Sequence, residues 1–352
     1  MDSGHAMKRN ARVTLAVAAL ALSALIQALA VAQSRQGSVP SYTPPRTAWG
    51  HPDISGIFTN RDDTNTPLER PDEFKGRSSS DFSAADLEKL SKERQAIAAK
   101  IAGGIGGAET GAGPTHWYEH LKGASSRAWF IIDPPDGKLP AMTPQAMKRE
   151  AEYAALNNAR NGEGRADSWL DRSLYDRCIT RGLPGSMMPA IYGNSYEILQ
   201  SPDFVAIRYE MIHETRVIPL DPSTALGASG RPHVSSKIRQ YLGDARGHWD
   251  GNTLVVETTN FTNKTHMGYN NRYNSEKYKL VERFTPVSPT RLQWQVTIDD
   301  PDTWARPWTF TMPLTRDDTQ PVFEYGCHEG NLGLEHILSA ARAEERAAGS
   351  RR

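Results

Sequence analysis

The sequence is poor in cysteine and lacks the short motifs that mark several common catalytic machineries. Its 352 residues contain two cysteines, Cys178 and Cys327, which excludes a zinc site of clustered thiolates. No His-Glu-x-x-His, His-x-His or Gly-x-Ser-x-Gly segment occurs. The glycine run Gly103–Gly107 lacks the Gly-Lys-Ser/Thr ending of a phosphate loop. We therefore expect no cofactor and no metal bound by a local motif, while a metal assembled from distant strands stays open.

An excess of charge of one sign is also lacking, since 41 basic residues balance 41 acidic ones. This balance argues against a nucleic acid or an anionic membrane as a partner. Long hydrophobic runs are scarce as well, and the apolar stretch Val13–Leu29 is interrupted by Ser23 and Gln27. Because a membrane anchor needs about 20 uninterrupted apolar residues, this stretch needs another explanation.

The N-terminal stretch has the order of parts of a cleavable signal peptide, which we place at residues 7–32. Lys8, Arg9 and Arg12 form a basic start, the apolar stretch follows, and small residues end it at Ala32. We expect a mature protein of 320 residues with a net charge near −2. It would be periplasmic or secreted and without membrane attachment after cleavage.

The two cysteines permit one disulfide in an exported chain. A Cys178–Cys327 bridge would join two segments far apart in sequence and stabilise the fold by about 2–4 kcal/mol. Two buried thiols are the alternative, and we favour the bridge.

Helix signals and loops divide the chain into four parts. These are a leader (1–32), an N-terminal arm with a helix (33–125), a β domain with inserted and closing helices (126–346) and a tail (347–352). Ser83 and Asp86 form a capping box before the first helix. Pro144 begins a second helix, and the closing helix is predicted from Leu332 to Arg346.

Short alternating strands dominate the second half of the chain. They are predicted at Tyr196–Gln200, Phe204–Ile212, Arg216–Leu220, Thr253–Thr259, Tyr278–Thr285, Arg291–Asp299 and Trp308–Leu314. In the sixth of them, Leu292, Trp294, Val296 and Ile298 alternate with polar residues, as in an antiparallel sheet with one wet face. Without helices between the strands, a parallel α/β fold is excluded. We predict a mainly β fold, an antiparallel meander that forms a barrel or sandwich with N-terminal and C-terminal helices.

Several sequence blocks resemble those of a known family. The blocks are Cys178–Pro184, Tyr192–Tyr196, Tyr209–His213, Leu242–Phe261, Pro307–Thr309 and Tyr325–Asn331. They resemble a large family of exported proteins, common in environmental bacteria such as acidobacteria and sphingomonads, whose members mostly carry no assigned function. The meander is also similar to lipocalin-like barrels that bind or act on small apolar molecules. The resemblance implies export and a barrel, and it carries no mechanism.

His213 is the first candidate for chemistry, with Glu210 and Arg216 beside it in sequence. In a regular strand Tyr209, Met211 and His213 share one face, so Glu210 and His213 form a pair only across a bulge. An imidazole held by a carboxylate and set beside an arginine is a candidate general base with an anion-stabilising partner. A structural polar network is the alternative.

Three further candidates come from the later blocks. Asp244 belongs to a charged segment that is either a site at the barrel mouth or the entry to a hairpin. Glu257 shares a face with Val255, and an inward carboxylate would have a raised pKa unless it pairs with Arg283. His328 follows Cys327, so a disulfide would fix it as a second acid or base; a loop histidine is the alternative.

Two functions remain from the sequence. One is an exported, cofactor-independent lyase, isomerase or hydrolase that uses acid/base chemistry on a small, partly apolar molecule. Its predicted catalytic residues are His213, Glu210, Arg216, Glu257, Asp244 and His328, and its predicted ligand-binding residues are Tyr196, Tyr209, Trp249, Asn260 and Trp294. The other is a non-catalytic lipocalin-like carrier with an apolar lining of Trp249, Trp294, Trp304 and Trp308. Titratable groups that converge on a binding surface would favour the enzyme.

Overall fold

A computed structural model describes residues 42–105, 119, 123–158, 164–221, 232–265, 273–319 and 321–349. The predicted signal peptide, 7–32, lies outside the described residues. Thr43–Arg352 form one compact unit. Within the described ranges, no helix has the length and apolar character needed to cross a membrane.

In the described part of the chain, ten strands form one sheet. They are β1 Gly56–Thr59, β2 Ile131–Asp133, β3 Ser195–Gln200, β4 Phe204–Tyr209, β5 Thr215–Pro219, β6 Asp244–Asp250, β7 Thr253–Thr259, β8 Lys279–Ser288, β9 Arg291–Asp299 and β10 Trp308–Arg316. Their order is β5-β4-β3-β1-β10-β9-β8-β7-β6, and β2 pairs with β10. The sheet is antiparallel and nearly closed into a barrel, which confirms the predicted fold class. Through β1, the segment 33–125 contributes a strand between β10 and β3.

The two ends of the sheet meet where β5 approaches β6. Leu220, directly after β5, forms a parallel bridge with Gly247 of β6, and the Asp221 amide donates to the Gly247 carbonyl at 2.8 Å. A Cβ atom on Gly247 would lie 2.9 Å from Ile218 Cγ2 and 3.0 Å from Leu220 Cδ2. The absence of a side chain at this position therefore allows the barrel to close.

The inside of the barrel is filled by large side chains. In β9 the predicted alternation is observed: Leu292, Trp294, Val296 and Ile298 are at most 2% exposed. The largest fully buried side chains include Trp294, Trp308, Tyr196, Tyr209, Tyr278, Phe284 and Phe310. Each buried side chain of this kind contributes about 1.5–3 kcal/mol. Along the described strands, the interior side chains pack into one hydrophobic core cluster.

Three helices lie outside the barrel in the described ranges: α1 Ala84–Ile105, α2 Pro144–Asn157 and α3 Leu332–Gly349. The predicted capping box before α1 is present, because the Ser83 amide donates to Asp86 Oδ2 at 2.9 Å and the Asp86 amide donates to Ser83 Oγ at 3.2 Å. The closing helix continues to Gly349, past its predicted end at Arg346.

One strand was not predicted, and one predicted strand extends too far. The segment Asp244–Asp250 is a strand, although its many polar residues resemble a loop; Ala245, Gly247 and Trp249 face the interior. The predicted strand Phe204–Ile212 ends at Tyr209. It gives way to a 3-10 turn in which Ile212 and His213 have φ values of 64° and 46°. Tyr209, Met211 and His213 consequently do not share a strand face.

We expect Gly247→Ala to lower the free energy of unfolding by about 1–3 kcal/mol, because the added methyl group overpacks the β5–β6 contact. Urea unfolding followed by tryptophan fluorescence measures the change. Gly333→Ala in α3, where a Cβ meets nothing closer than 3.9 Å, is the control and should be neutral or stabilising by up to about 1 kcal/mol. Equal stability of the two variants would contradict this role of Gly247.

Candidate functional site

Arg216, a predicted catalytic residue, lies inside the barrel in an ion pair. Its Nη1 atom is 2.6 Å from Glu282 Oε2, and the two side chains are 3% and 0% exposed. Arg216 Nη2 donates to Thr258 Oγ1 at 2.9 Å, and Trp294 Nε1 donates to Glu282 Oε1 at 3.2 Å. Removing either partner would leave a buried charge. The pair therefore holds β5, β7, β8 and β9 together. Glu282 was not predicted as a site residue. It could have been noticed in the sequence because it occupies the same strand face as the apolar residues Leu280 and Phe284.

Three predicted ligand-binding residues also lie in this interior. Tyr196 is 1% exposed and its hydroxyl donates to Asn60 Oδ1 at 3.0 Å. Tyr209 is 0% exposed beside Arg216, and burial raises its pKa far above the ordinary tyrosine value. Trp294 bonds to Glu282. The structure brings none of these three side chains to the surface, and their ligand-binding role stays a prediction.

A second group lies on the outer face of β6 and β7, where His233 bridges two predicted residues. Its Nδ1 is 2.9 Å from Asp244 Oδ2, and its Nε2 is 3.5 Å from Glu257 Oε1. Arg246 Nη1 donates to Asp244 Oδ1 at 2.6 Å, and Lys279 Nζ is 2.5 Å from Glu257 Oε2. Sequence reasoning missed His233, because it belongs to none of the quoted blocks.

Both carboxylates of this group are held in the ionised form. Burial acts to raise the pKa of Asp244, but hydrogen bonds from the Val234 amide, His233 and Arg246 outweigh it and lower that pKa. Burial likewise opposes the lowered pKa of Glu257, which Lys279 stabilises as an anion. The prediction of an inward Glu257 with a raised pKa was therefore wrong.

The remaining predicted residues of this region have structural contacts. Asn260 has a φ of 57°, a value that asparagine tolerates, and its Nδ2 donates to the Val234 carbonyl at 2.9 Å. Trp249 is 8% exposed, and its ring centroid lies 5.5 Å from that of His51. Gly251, with a φ of 60°, turns the chain between β6 and β7. The hairpin interpretation of the block Leu242–Phe261 thus accounts for its polar residues.

A third group surrounds the turn between β4 and β5. Glu210 Oε2 accepts a hydrogen bond from the Ser195 amide at 3.0 Å, and His213 Nδ1 lies 2.9 Å from the Tyr325 carbonyl oxygen. Ile212 and His213 both have positive φ, a conformation that costs about 1–3 kcal/mol per residue and is concentrated at functional sites. The structure thus separates the predicted Glu210–His213 pair into two anchored side chains.

Tyr175, Tyr192 and Tyr325 converge next to this turn. Their hydroxyl groups interact with one another, and the rings of Tyr192 and Tyr325 are nearly parallel with centroids 6.2 Å apart. Burial and the bond to Tyr192 raise the pKa of Tyr325, so the phenol stays neutral. Arg181 Cζ lies 5.6 Å from the centre of the Tyr175 ring. Neutral hydroxyls and a guanidinium are all hydrogen-bond donors.

Glu214 supplies an acid in the same region. Its Oε2 accepts a hydrogen bond from Thr180 Oγ1 at 2.6 Å, next to Arg181 in sequence. Burial raises the pKa of Glu214 to about 7, which allows the group to give and take a proton near neutral pH. Burial also raises the pKa of Glu210, and Glu119 adds to that effect.

The predicted disulfide is present and connects the parts of this group. Cys178 and Cys327 are bonded, with their Cα atoms 5.7 Å apart. Asn331 Nδ2 donates to the Asp176 carbonyl at 2.9 Å. These contacts hold the segment of Tyr325 against the loop that carries Tyr175. His328 lies exposed beside the bridge, and its catalytic role stays a prediction.

We name the set Tyr175, Tyr192, Tyr325, Arg181 and Glu214 the tyrosine site. Four of the sequence blocks meet there: Cys178–Pro184, Tyr192–Tyr196, Tyr209–His213 and Tyr325–Asn331. His213, Glu210 and His328, which were predicted separately as catalytic residues, lie around this region, whereas Tyr175, Tyr192, Tyr325 and Arg181 were not predicted. The available signal was that Arg181, Tyr192 and Tyr325 are members of those blocks.

A scan against protein-family models, a search of curated proteins and a search of solved structures each found no match. Among the described residues, no group of three or more His, Cys, Asp or Glu side chains is arranged to hold a metal ion. The arrangement of the chain's own residues is therefore the basis for assigning a function.

We expect the double variant Cys178→Ser/Cys327→Ser to unfold with a free energy lower by about 2–4 kcal/mol, because the bridge restricts a long loop of the unfolded chain. Urea unfolding with and without dithiothreitol measures this. Reductant should bring the wild type down to the level of the variant and leave the variant unchanged. Equal stability of wild type and variant without reductant would contradict the prediction.

We also expect a pH-dependent loss of stability from Glu214. The carboxyl is protonated in both states below about pH 4.5, and as the pH rises toward its folded pKa of about 7 the unfolded state is favoured. The loss is about 2–3 kcal/mol. Unfolding free energies between pH 4 and 8, in steps of about one unit, measure it.

Glu214→Gln should flatten this part of the stability profile, and exposed Glu329→Gln should not. Asp63, whose pKa burial raises to about 6, adds its own slope in both variants. An unchanged profile in Glu214→Gln would show that this carboxyl ionises normally.

Proposed function

We propose that the protein is an exported, cofactor-independent enzyme that carries out acid/base chemistry on a small, partly apolar molecule at the tyrosine site. A lyase, isomerase or hydrolase reaction fits this chemistry. The observation that carries the proposal is the group of three interacting tyrosine hydroxyls with the Arg181 guanidinium over the Tyr175 ring at a disulfide-anchored turn. The half-buried Glu214 carboxyl is hydrogen-bonded to Thr180, the residue before Arg181. The disulfide also supports the proposed periplasmic or secreted location.

The groups of the tyrosine site have complementary chemical roles. Glu214 would transfer the proton, because a pKa of about 7 allows its carboxyl group to give and take a proton near neutral pH. The hydroxyls of Tyr192 and Tyr325 would donate hydrogen bonds to negative charge that develops in the transition state. Tyr175 Oη lies 3.4 Å from Met211 Sδ, which gives the site an apolar edge.

His213 would act as a second base on the exposed side of the turn. A carbonyl oxygen only accepts hydrogen bonds, so the contact with Tyr325 requires the proton on His213 Nδ1. In the neutral imidazole this leaves a lone pair on Nε2, which has no hydrogen-bond partner among the described residues. The proposed base is thus fixed in tautomer and position by the segment that carries Tyr325.

The carrier is the less favoured alternative. A lipocalin-type carrier needs an apolar chamber, whereas Trp294, Trp308 and the other described interior side chains pack against one another in one hydrophobic core cluster. The accessible group is polar and titratable, which favours catalysis over carriage. Binding of an apolar ligand with no conversion, unaffected by changes in the tyrosine site, would support the carrier.

We expect Glu214→Gln to lower turnover about 10²–10⁴-fold, because it removes the proton-transfer group and keeps the size of the side chain. The measurement is mass-spectrometric conversion of a library of small exported metabolites, followed by kinetics on the converted compound. Glu257→Gln, a carboxylate of the outer face, is the control and should retain full activity. Unchanged turnover in Glu214→Gln would overturn the assignment.

His213 is tested in the same assay with two variants. His213→Asn keeps a donor for the Tyr325 carbonyl and tolerates the positive φ, whereas His213→Ala removes both the donor and the base. If His213 is a base, both variants lose activity to a similar extent. Recovery of activity in the asparagine variant would assign His213 a positioning role instead.

A further inference from the structure

We propose that Arg181 binds the carboxylate of a monoanionic ligand, so that the tyrosine site selects small, partly apolar monocarboxylates. As a statement about the substrate this rests on the proposed function. As a statement about binding it stands on the geometry of Arg181 alone.

Among the described residues Arg181 has no anionic partner, in contrast to the buried arginines Arg61 and Arg216. Its Nη1 is shielded from solvent and makes no hydrogen bond. Among the described residues, no carboxylate lies within ion-pair distance of Arg181. By contrast, Arg61 pairs with Asp317 and Arg216 with Glu282, each at 2.6 Å. A shielded guanidinium without an anion is an incomplete ion pair, and a ligand carboxylate would complete it.

The surroundings of Arg181 match a carboxylate. The guanidinium presents parallel N–H donors that fit the two carboxylate oxygens, and it lies over the Tyr175 ring at 5.6 Å. The hydroxyls of Tyr175, Tyr192 and Tyr325 form a hydrogen-bonding group beside that ring. All four residues are half-buried, so none of them is closed off from solvent completely.

The charges near Arg181 favour a single negative charge on the ligand, because Arg181, Glu119 and Glu210 all lie close enough to Tyr196 to affect its pKa. Glu119 Oε1 accepts from the Gly193 amide at 2.8 Å, and Glu210 is close enough to Glu119 to raise the pKa of Glu210. Glu214 adds a carboxyl with a pKa of about 7. A dianion such as a phosphate monoester would be repelled by these carboxylates, whereas a monocarboxylate can be balanced by Arg181. The tyrosine rings and Met211 would contact the apolar part of such a ligand.

The experiment uses the full chain and matched probes. Acetate, cyclohexanecarboxylate, phenylacetate and benzoate are titrated by isothermal calorimetry, together with benzamide and phenyl phosphate. We expect at least one monocarboxylate to bind wild type, and benzamide and phenyl phosphate to bind at least about tenfold more weakly than benzoate. Arg181→Gln should lose at least about tenfold in monocarboxylate affinity, with Arg181→Lys between the two because it keeps the charge.

Arg177→Gln is the matched control. Arg177 lies four residues away with its guanidinium 4.5 Å from the Trp169 ring centre, and its replacement should leave the affinity unchanged. Unfolding midpoints equal to wild type establish that each variant folds. If Arg181→Gln does not fold, the test is whether Arg181→Lys binds monocarboxylates more weakly than wild type. No monocarboxylate binding to wild type, or equal binding by Arg181→Gln or Arg181→Lys, would overturn the inference.

The two proposals can fail separately. If monocarboxylates do not bind and a neutral compound is converted in a Glu214-dependent way, the carboxylate inference falls and the enzyme stands. If monocarboxylates bind through Arg181 and no library compound is converted, the enzyme falls and the anion site stands.

Discussion

The sheet closes on itself through one short contact, the parallel bridge between Leu220 and Gly247. Closure brings β5 next to β6 and so places Arg216 on the inside of the barrel. There it pairs with Glu282 of β8, a strand that is separated from β5 in the sheet by β6 and β7. An open sheet would leave this ion pair in water, where it contributes little. Inside the barrel, the charge of Arg216 is compensated by that of Glu282, and buried aromatic side chains such as Trp294 surround the pair. The close approach at Gly247 thus supports the enclosure of this ion pair.

Since the interior is closed, the partly exposed groups of the tyrosine site lie outside it, around the turn that joins β4 to β5. The Tyr209 amide donates to the Glu214 carbonyl at 2.9 Å, so four residues must complete the turn. That short connection places Ile212 and His213 in the left-handed region and brings Glu210 and Glu214 to half-buried positions. The disulfide then holds Tyr325 against the turn. The strained residues Ile212 and His213 and the disulfide are thus close together, because His213 contacts Tyr325, two residues before Cys327.

Much of the fold could be predicted because its signals are local. The strands Thr253–Thr259 and Arg291–Asp299 have their predicted bounds. The first contains a short apolar run and the second alternates apolar with polar residues, and the Ser83–Asp86 capping box marks the start of α1. The strand β6 was missed because its inward positions include a glycine and its outward positions are charged. The site could be predicted only in part. The disulfide followed from having two cysteines, but the meeting of Tyr175, Tyr192 and Tyr325 depends on chain paths that no local pattern records.

The two histidines near carboxylates show why the tyrosine site is favoured over the more conspicuous block around Asp244. Both ring nitrogens of His233 face carboxylates, Asp244 and Glu257, which are themselves paired with Arg246 and Lys279. Its hydrogen-bonding capacity is used within the fold, and the result is an anchored surface segment. His213 uses one nitrogen on a carbonyl and is otherwise exposed. Chemistry on a ligand requires groups whose hydrogen-bonding capacity is not used within the fold. Arg181, which has no anionic partner among the described residues, is such a group, and it lies three residues after Cys178 of the disulfide.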